Sequence, residues 1–285
     1  MTHSNITLSH VTTSYDHFKL DDLNFTIEKG EIVGFVGENG AGKTTTIKTI
    51  LNLLALEKGT ISILSQDSVA CSTEIKQHVG VVLDDAFFYE ELRLEEIEKI
   101  MRRIHQTWDS GYFYDLLKTH HIEKNKTFKE CSKGMKAKVR IFLALAHHPQ
   151  LLILDEPTTG LDPVSRNEIL DIFRDFMDDT TSILFSSHIT SDIDKIADKV
   201  ILIHDGKIKL IEDQLTIDEN YGLLKLTHDD FKELQSLNFL AVLEKNYSVE
   251  CLINNKQEIL FEFPDLEIKT PTIEEILLMF KKGVN

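Results

Sequence analysis

The chain has 285 residues, of which 42% are hydrophobic and 27% charged, and its formal net charge at pH 7 is −16. The length is enough for about two domains with cores of their own, and the acidic balance argues against a nucleic-acid partner, because nucleic acids are bound chiefly through clustered lysine and arginine. The three cysteines, Cys71, Cys131 and Cys251, lack C-x-x-C spacing, so we predict free thiols in a reducing compartment, without a cysteine metal site or a disulfide framework.

Two strands with one buried face are predicted near the amino terminus. Apolar and polar residues alternate over 6–11 and over 23–27, which is typical of half-exposed strands. Tyr15 lies between them on a predicted loop, where its flat ring could stack on a nucleotide base, although tyrosines more often serve only in packing. We expect no secretory signal, because the first residues have neither a basic n-region nor an apolar h-region. No apolar run approaches the roughly 18 residues of a membrane-spanning helix.

A glycine-rich loop is the most informative stretch of the sequence. It joins an apolar run at 32–36, which predicts a buried strand, to a helical pattern at 46–54. Its spacing matches the phosphate-binding motif G-x-x-x-x-G-K-[ST], in which glycines let backbone N–H groups surround phosphates. We expect the Lys43 ammonium to contact the β- and γ-phosphates and the Thr44 hydroxyl to bind Mg²⁺. The loop comprises Gly37, Glu38, Asn39, Gly40, Ala41, Gly42, Lys43, Thr44 and Thr45.

The segment from about residue 84 to 148 is predicted to be a helical subdomain inserted into an α/β core. Apolar residues recur at helical spacing from Leu94 to Ile104 and again around Phe113. Ser132 is predicted to be the N-cap of the last helix of this segment. Such a first turn also suits a phosphate group, because its backbone N–H groups lack partners within the helix.

Polar residues follow two further buried strands. The apolar run 151–154 ends at Asp155 and Glu156, and the run 182–187 ends at His188. Open α/β sheets bind their ligands at the carboxyl ends of strands. We therefore expect Asp155 to hold Mg²⁺, Glu156 to act as a general base on water, and His188 to belong to the same site.

The remaining chain contains fewer motifs. Asp162 is predicted to cap a helix, and the turn at 205–206 predicts a β-hairpin. The polar and acidic stretch 212–220 predicts a linker. We accordingly divide the chain into an α/β domain at 1–212 and, at 213–285, the linker with a small α+β accessory module that carries no catalytic cluster.

Over residues 1–210 the chain resembles the ATP-binding subunits of ABC transporters. The loop at 37–45 is similar to the Walker A motif of that family, and 151–156 is similar to the Walker B motif with its catalytic glutamate. Tyr15 lies where the family has an aromatic residue that stacks on the base, and His188 lies where it has the switch histidine. The resemblance implies a P-loop NTPase core that uses ATP and Mg²⁺.

Two further motifs belong to the resemblance, and two positions depart from it. Residues 160–162 are similar to the D-loop, and 131–135 are similar to the signature usually written L-S-G-G-Q. Lys133 replaces one glycine of that signature, and Asp84 stands where the family normally has a glutamine that senses Mg²⁺ and links to the membrane partner. An ionised carboxylate cannot donate a hydrogen bond, but it can reach the metal through water, so Asp84 is a candidate metal ligand. These departures and the carboxyl-terminal extension resemble the branch of bacitracin-resistance-type and phenol-soluble-modulin exporter ATPases.

The resemblance implies a subunit that drives export of a peptide, antibiotic or other amphipathic substrate through a separate membrane-spanning permease subunit. Two ATPase subunits, identical or related, would close head to tail, so that ATP on the Walker A loop of one meets Ser132, Gly134 and Asp162 of the other. The expected location is the cytoplasmic face of the cell membrane.

The resemblance also assigns roles to three catalytic candidates. Glu156 would activate water, His188 would hold the γ-phosphate, and Lys43 would neutralise developing charge. The alternative reading is a soluble ABC-type ATPase switch, which regulates or remodels a partner without transport.

Overall fold

The computed structural model of the chain describes residues 4–16, 18–83 and 90–283. The strands in chain order are β1 (Ser4–Tyr15), β2 (Phe18–Glu28), β3 (Ile32–Val36), β4 (Lys58–Ile63), β5 (Gln66–Asp67), β6 (Val79–Val82), β7 (Leu151–Asp155), β8 (Ser182–Ser187), β9 (Lys199–His204), β10 (Lys207–Asp213), β11 (Gly222–Leu226), β12 (Ala241–Glu244), β13 (Val249–Ile253) and β14 (Ile268–Lys269). The helices are α1 (Lys43–Ile50), α2 (Ser72–His78), α3 (Leu94–Ile104), α4 (Ser110–Thr119), α5 (Lys133–Leu145), α6 (Pro163–Phe176), α7 (Thr190–Ile196), α8 (Gln214–Asn220), α9 (His228–Glu233), α10 (Lys256–Glu262) and α11 (Ile273–Lys282).

The strands form three sheets. An antiparallel sheet near the amino terminus has the order β2-β1-β4-β5. The central sheet has the order β10-β9-β3-β8-β7-β6, and its strands are parallel except for β10 at the edge. A third, antiparallel sheet has the order β12-β13-β11-β14. The predicted α/β fold class is confirmed.

Strands β3, β7, β8 and β9 of the central sheet are buried on both faces, which explains their continuous apolar runs. Successive side chains of a strand point to opposite faces. In β7, Leu151 and Ile153 pack in a cluster with side chains of the antiparallel sheet and of α1. Leu152 and Leu154 pack in a second cluster, with side chains of α5, α6 and α7. The sheet therefore lies between two apolar layers, and only the ends of its strands are free for chemistry.

The helical subdomain is present as predicted over the described residues 90–148. Three helices, α3, α4 and α5, and a short 3-10 turn at Phe128–Glu130 account for its regular structure. Leu94, Phe113 and Phe142 are fully buried in one cluster, so the three helices share a core with the central sheet. The expectation for Asp84 lies outside the described residues.

The linker prediction for 212–220 is wrong. Residues 212 and 213 end β10, and 214–220 form α8. Ile217 of this helix is completely buried and packs in the main apolar cluster. The prediction was based on the average polarity of the segment. It failed because one buried side chain anchors a helix whose other residues face the solvent.

The carboxyl-terminal module consists of the third sheet with α9, α10 and α11. Its elements are short, from two residues in β14 to ten in α11. Ile276 and Met279 of α11 are buried in the same cluster as Ile193 of α7, so the module packs directly on the α/β core. The division of the chain at 212 and 213 stays a prediction. Within the described ranges, no helix is long and apolar enough to cross a membrane.

Candidate active site

The loop between β3 and α1 forms a glycine-lined cradle. Gly40 and Gly42 have φ values of 83° and 114°, in a region that side chains with a Cβ rarely adopt. A Cβ atom on Gly42 would also lie 3.0 Å from the Phe18 ring and 2.9 Å from Leu20. Because the first turn of α1 begins at Lys43, its unpaired N–H groups and positive dipole end face the cradle. The arrangement suits a polyphosphate.

Lys43 places a buried ammonium group at the centre of this cradle. Its side chain is 5% exposed, and Nζ donates to the carbonyl oxygens of Gly37 and Glu38 at 2.6 and 3.1 Å. Nζ also lies 3.2 Å from Glu156 Oε1. The ammonium therefore connects the loop to the end of β7, and it has the position expected of a phosphate ligand.

Asp155 forms the second polar group of the site. This carboxylate is 2% exposed, and its Oδ2 accepts a hydrogen bond of 2.7 Å from the Thr44 hydroxyl. Its Oδ1 accepts one of 2.6 Å from the hydroxyl of Ser186 in β8. A hydroxyl and a carboxylate held side by side at a phosphate cradle are oxygen donors of the kind that Mg²⁺ prefers, so the residues fit a magnesium ion.

Glu156 lies between the cradle and the end of β8. Its φ of 51° is unusual for a residue with a side chain, costs about 1–3 kcal/mol, and is typical of functional positions. Its Oε2 accepts hydrogen bonds of 2.7 Å from the Thr159 hydroxyl and 2.7 Å from His188 Nδ1. The backbone strain and the two donors fix the direction of the carboxylate.

The charge state of Glu156 follows from the same contacts. Burial raises the pKa of its carboxyl, but the hydrogen bond from Thr159 and the charges of Lys43 and His188 outweigh burial, so the pKa lies below its ordinary value. Glu156 is consequently ionised at neutral pH. It can accept a proton from a water molecule placed at the mouth of the cradle.

Ser186 is a site residue that the sequence did not single out. Its hydroxyl donates to Asp155 and accepts a hydrogen bond of 3.0 Å from the backbone N–H of Glu156. It therefore joins the Asp155 carboxylate and the Glu156 backbone to the neighbouring strand. The available signal was a serine pair at the end of a largely apolar strand, directly before His188.

A cleft of about 380 Å³ opens over the cradle. Phe18 is part of its lining, whereas Tyr15, which pairs with Phe18 across the β1–β2 hairpin, is 55% exposed and outside that lining. Tyr15 ends β1 rather than lying on a loop. Its stacking role stays a prediction, and Phe18 is a second aromatic candidate. The cleft is lined by Phe18, Glu38, Asn39, Gly40, Gly42, Lys43, Thr44, Thr45 and Glu156.

The signature segment 131–135 and the D-loop segment 160–162 meet each other in the same chain, and neither lines the cleft over the cradle. Ser132 is the N-cap of α5, as predicted, and Asp162 caps α6 through the N–H groups of its first turn. A Cβ atom on Gly134 would lie 2.6 Å from the Ser165 hydroxyl, which donates to Asp162 at 2.7 Å. Close packing of two helix starts is thus one reason for glycine at 134. Neither Ser132 nor Gly134 lines the cleft over the cradle.

Comparison with known proteins identifies this arrangement. The ABC transporter family model matches residues 20–159, and ABC transporter ATP-binding protein YtrB of Bacillus subtilis (strain 168) is 31% identical over 211 residues, 74% of this chain and 72% of YtrB. The chain belongs to the ABC transporter ATP-binding family. As an ABC ATPase it binds and hydrolyses ATP, and ATPases of this family dimerise and work with membrane permease subunits.

Other relatives of this ABC ATPase show the same range of similarity. NatA of Bacillus subtilis (strain 168) is 36% identical over 213 residues, 70% of this chain and 87% of NatA. The bacitracin transport ATP-binding protein BcrA of Bacillus licheniformis is 36% identical over 193 residues, 66% of this chain and 63% of BcrA. A solved ATP-binding subunit of an ABC transporter superposes with a TM-score of 0.68 at 28% identity, covering 75% of this chain and 92% of that one. The fold is also that of the dimeric ATP-binding cassette MJ0796 bound to ADP and Pi, with a TM-score of 0.64 at 23% identity over 73% of this chain and 98% of that one.

Proposed function

We propose that this ABC ATPase drives export of a peptide, antibiotic or other amphipathic substrate through a separate membrane-spanning permease subunit, at the cytoplasmic face of the membrane. The similarity to BcrA, a bacitracin transport ATP-binding protein, supports the exporter assignment. The main structural support for ATP hydrolysis is the position of Glu156. Its carboxylate contacts both Lys43 and His188 at the mouth of the cradle.

The proposed chemistry uses residues already described. Backbone N–H groups of 37–45 and the Lys43 ammonium bind the phosphates, with the charge of Lys43 directed at the β- and γ-phosphoryl oxygens. Glu156 accepts a proton from the water that attacks the γ-phosphorus, and the products are ADP and phosphate. His188 keeps Glu156 oriented and places its ring against the γ-phosphate. Thr44 and Asp155 would hold Mg²⁺, which supplies neutralisation of phosphate charge.

A second ATPase subunit is proposed to complete the cage around ATP. Ser132, Gly134 and Asp162 lie on exposed helix starts that the cradle of their own chain does not use. Helix starts bind anions through their N–H groups, so Ser132 and Gly134 at the start of α5 are suited to the γ-phosphate of a nucleotide held by a partner. Asp162 lies on the neighbouring helix start, where its carboxylate accepts a hydrogen bond from Ser165. Because the nucleotide would join both subunits, its hydrolysis would remove the group that holds them together.

An apolar groove between the core and the helical subdomain is the surface we assign to the permease. The groove measures about 360 Å³, and Leu53 and Ile104 in its lining are more than half exposed. Exposed apolar surface of this kind marks sites of protein interaction. Residues 82 and 83, which also line the groove, lead directly into Asp84, the position that the family resemblance links to the membrane subunit.

Capture from detergent-solubilised membranes tests the assignment. The full chain should retain a polytopic membrane protein, and the Ile104→Glu variant should lose it, since a charge in the groove opposes apolar docking. Ile100→Glu is the matched control, because Ile100 is similarly exposed on the same helix α3 but does not line the groove. Capture of a ribosomal or cytosolic protein in place of a membrane protein would favour the soluble switch.

A further inference from the structure

The last helix of the chain reaches the edge of the nucleotide site. Lys281 of α11 places its Nζ 2.6 Å from Glu38 Oε1, although the two residues are 243 positions apart. Glu38 is the second residue of the phosphate-binding loop. The carboxyl-terminal module thus touches the catalytic core at a residue that lines the cleft over the cradle.

The same helix also covers the approach to His188. A second cleft, of about 710 Å³, lies between the phosphate-binding loop, the segment 188–191 and α11. Leu277 and Leu278 form its α11 side, together with Glu274. The cleft contains both Glu38 and His188, so it borders the end of the cradle where the γ-phosphate is proposed to lie.

We propose that Lys281 is a positioning residue for nucleotide binding, which neutralises Glu38 at the mouth of the phosphate cradle. The proposal rests on the function proposed above. A nucleoside triphosphate brings several negative charges to this point, and an unpaired carboxylate beside it would repel them. The ion pair removes that repulsion and keeps the Glu38 side chain turned toward α11.

The ion pair is suited to an effect on ligand binding rather than on folding. The Lys281 and Glu38 side chains are 37% and 40% exposed, and ion pairs with this exposure contribute little to stability. Packing of α11 on the core depends instead on buried Ile273, Ile276 and Met279. Loss of Lys281 should therefore leave the protein folded, and any change in nucleotide affinity is attributable to charge.

The neighbouring Lys282 offers a matched control. It is exposed at the end of the same helix and forms no ion pair with any residue that the structure describes. Lys282→Ala removes the same charge from the chain as Lys281→Ala. A difference between the two variants reports the contact with Glu38 and not the net charge of the protein.

The experiment measures the Kd for ATP of the full chain by titration calorimetry, and kcat by phosphate release. At about 50 mM salt we expect Lys281→Ala to weaken ATP binding about three- to tenfold with kcat unchanged, and Lys282→Ala to have no effect. Raising the salt to about 500 mM should reduce the difference, because exposed charges are screened. In a Glu38→Gln background, the effect of Lys281→Ala should disappear.

Several results would overturn the proposal. Equal ATP affinity with and without Lys281, tighter binding in Lys281→Ala, or an unchanged effect in the Glu38→Gln background would each refute the role assigned to the pair. None of these outcomes contradicts the proposed function, because in each of them the wild-type chain still binds and hydrolyses ATP. A wild-type chain that binds no ATP would refute both.

Discussion

The α/β core and the carboxyl-terminal module differ in how they use their sheets. In the core, parallel strands buried on both faces end together, and Asp155, Glu156 and Ser186 meet at that edge. In the module, an antiparallel sheet presents no comparable edge in the described residues. The module reaches the active site through α11, whose Lys281 forms an ion pair with Glu38. Catalytic groups thus collect where parallel strands end, whereas the added module is placed to adjust the site from outside.

The Glu156→Gln variant tests most directly whether the catalytic groups lie at the strand ends of the core. The amide keeps the shape of the side chain but cannot accept a proton from water, so we expect kcat for ATP hydrolysis to fall about 10²–10⁴-fold. ATP affinity should be retained, and the nucleotide should hold two subunits together. Phosphate release and light scattering with ATP measure these effects. Normal turnover in this variant would remove Glu156 from the mechanism.

Removal of the buried Lys43 ammonium tests whether the same edge of the sheet binds ATP. Lys43→Ala should weaken ATP binding about 100-fold or more, because the cradle loses its charge toward the β- and γ-phosphates. Calorimetric titration measures the affinity, with exposed Lys29→Ala as the control for net charge. Ordinary affinity in Lys43→Ala would contradict the assignment of the loop.

The segment that joins the core to the module is tested through α8. Ile217→Ala should lower the free energy of unfolding by about 2–4 kcal/mol, because Ile217 is buried and its truncation leaves a cavity. Leu215→Ala in the same helix should change it by less than about 0.5 kcal/mol, since Leu215 is 74% exposed. Denaturant unfolding of the full chain compares them. Equal, small effects would mean that 214–220 behaves as a linker after all.

The smallest expected effect concerns the base of the nucleotide. Tyr15→Ala should weaken ATP binding about fivefold with kcat unchanged, as loss of one stacking ring costs about 1 kcal/mol. Tyr247→Ala, an exposed tyrosine of the module, is the matched control. If Tyr15→Ala is silent while Phe18→Ala weakens binding, the ring that lines the cleft is the one that stacks.

The sequence predicted the core well because its chemistry requires particular residues at fixed spacing. The loop at 37–45 needs glycine where φ is positive and lysine at the helix start, and acids must follow a buried strand to reach a phosphate. These requirements produce a motif that can be recognised in a single sequence. Ser186 was missed because its partners are on a neighbouring strand, and spacing along the chain does not show which strands pair.

The module was harder to predict for physical reasons. Its elements are short, so periodicity has few residues in which to appear. The helix α8, which leads into the module, depends on the single buried side chain of Ile217. Lys281 is an ordinary helix-end lysine in the sequence, and its contact with Glu38 arises only when α11 packs on α7. Contacts between distant segments of this kind require the tertiary structure.

A crystal structure of the Glu156→Gln variant with ATP tests the central claim most directly. We expect two subunits related head to tail, with the triphosphate in the 37–45 loop of one and Ser132 and Gly134 of the other against its γ-phosphate. A triphosphate bound away from this loop, or held by one subunit while Ser132 and Gly134 face solvent, would contradict it.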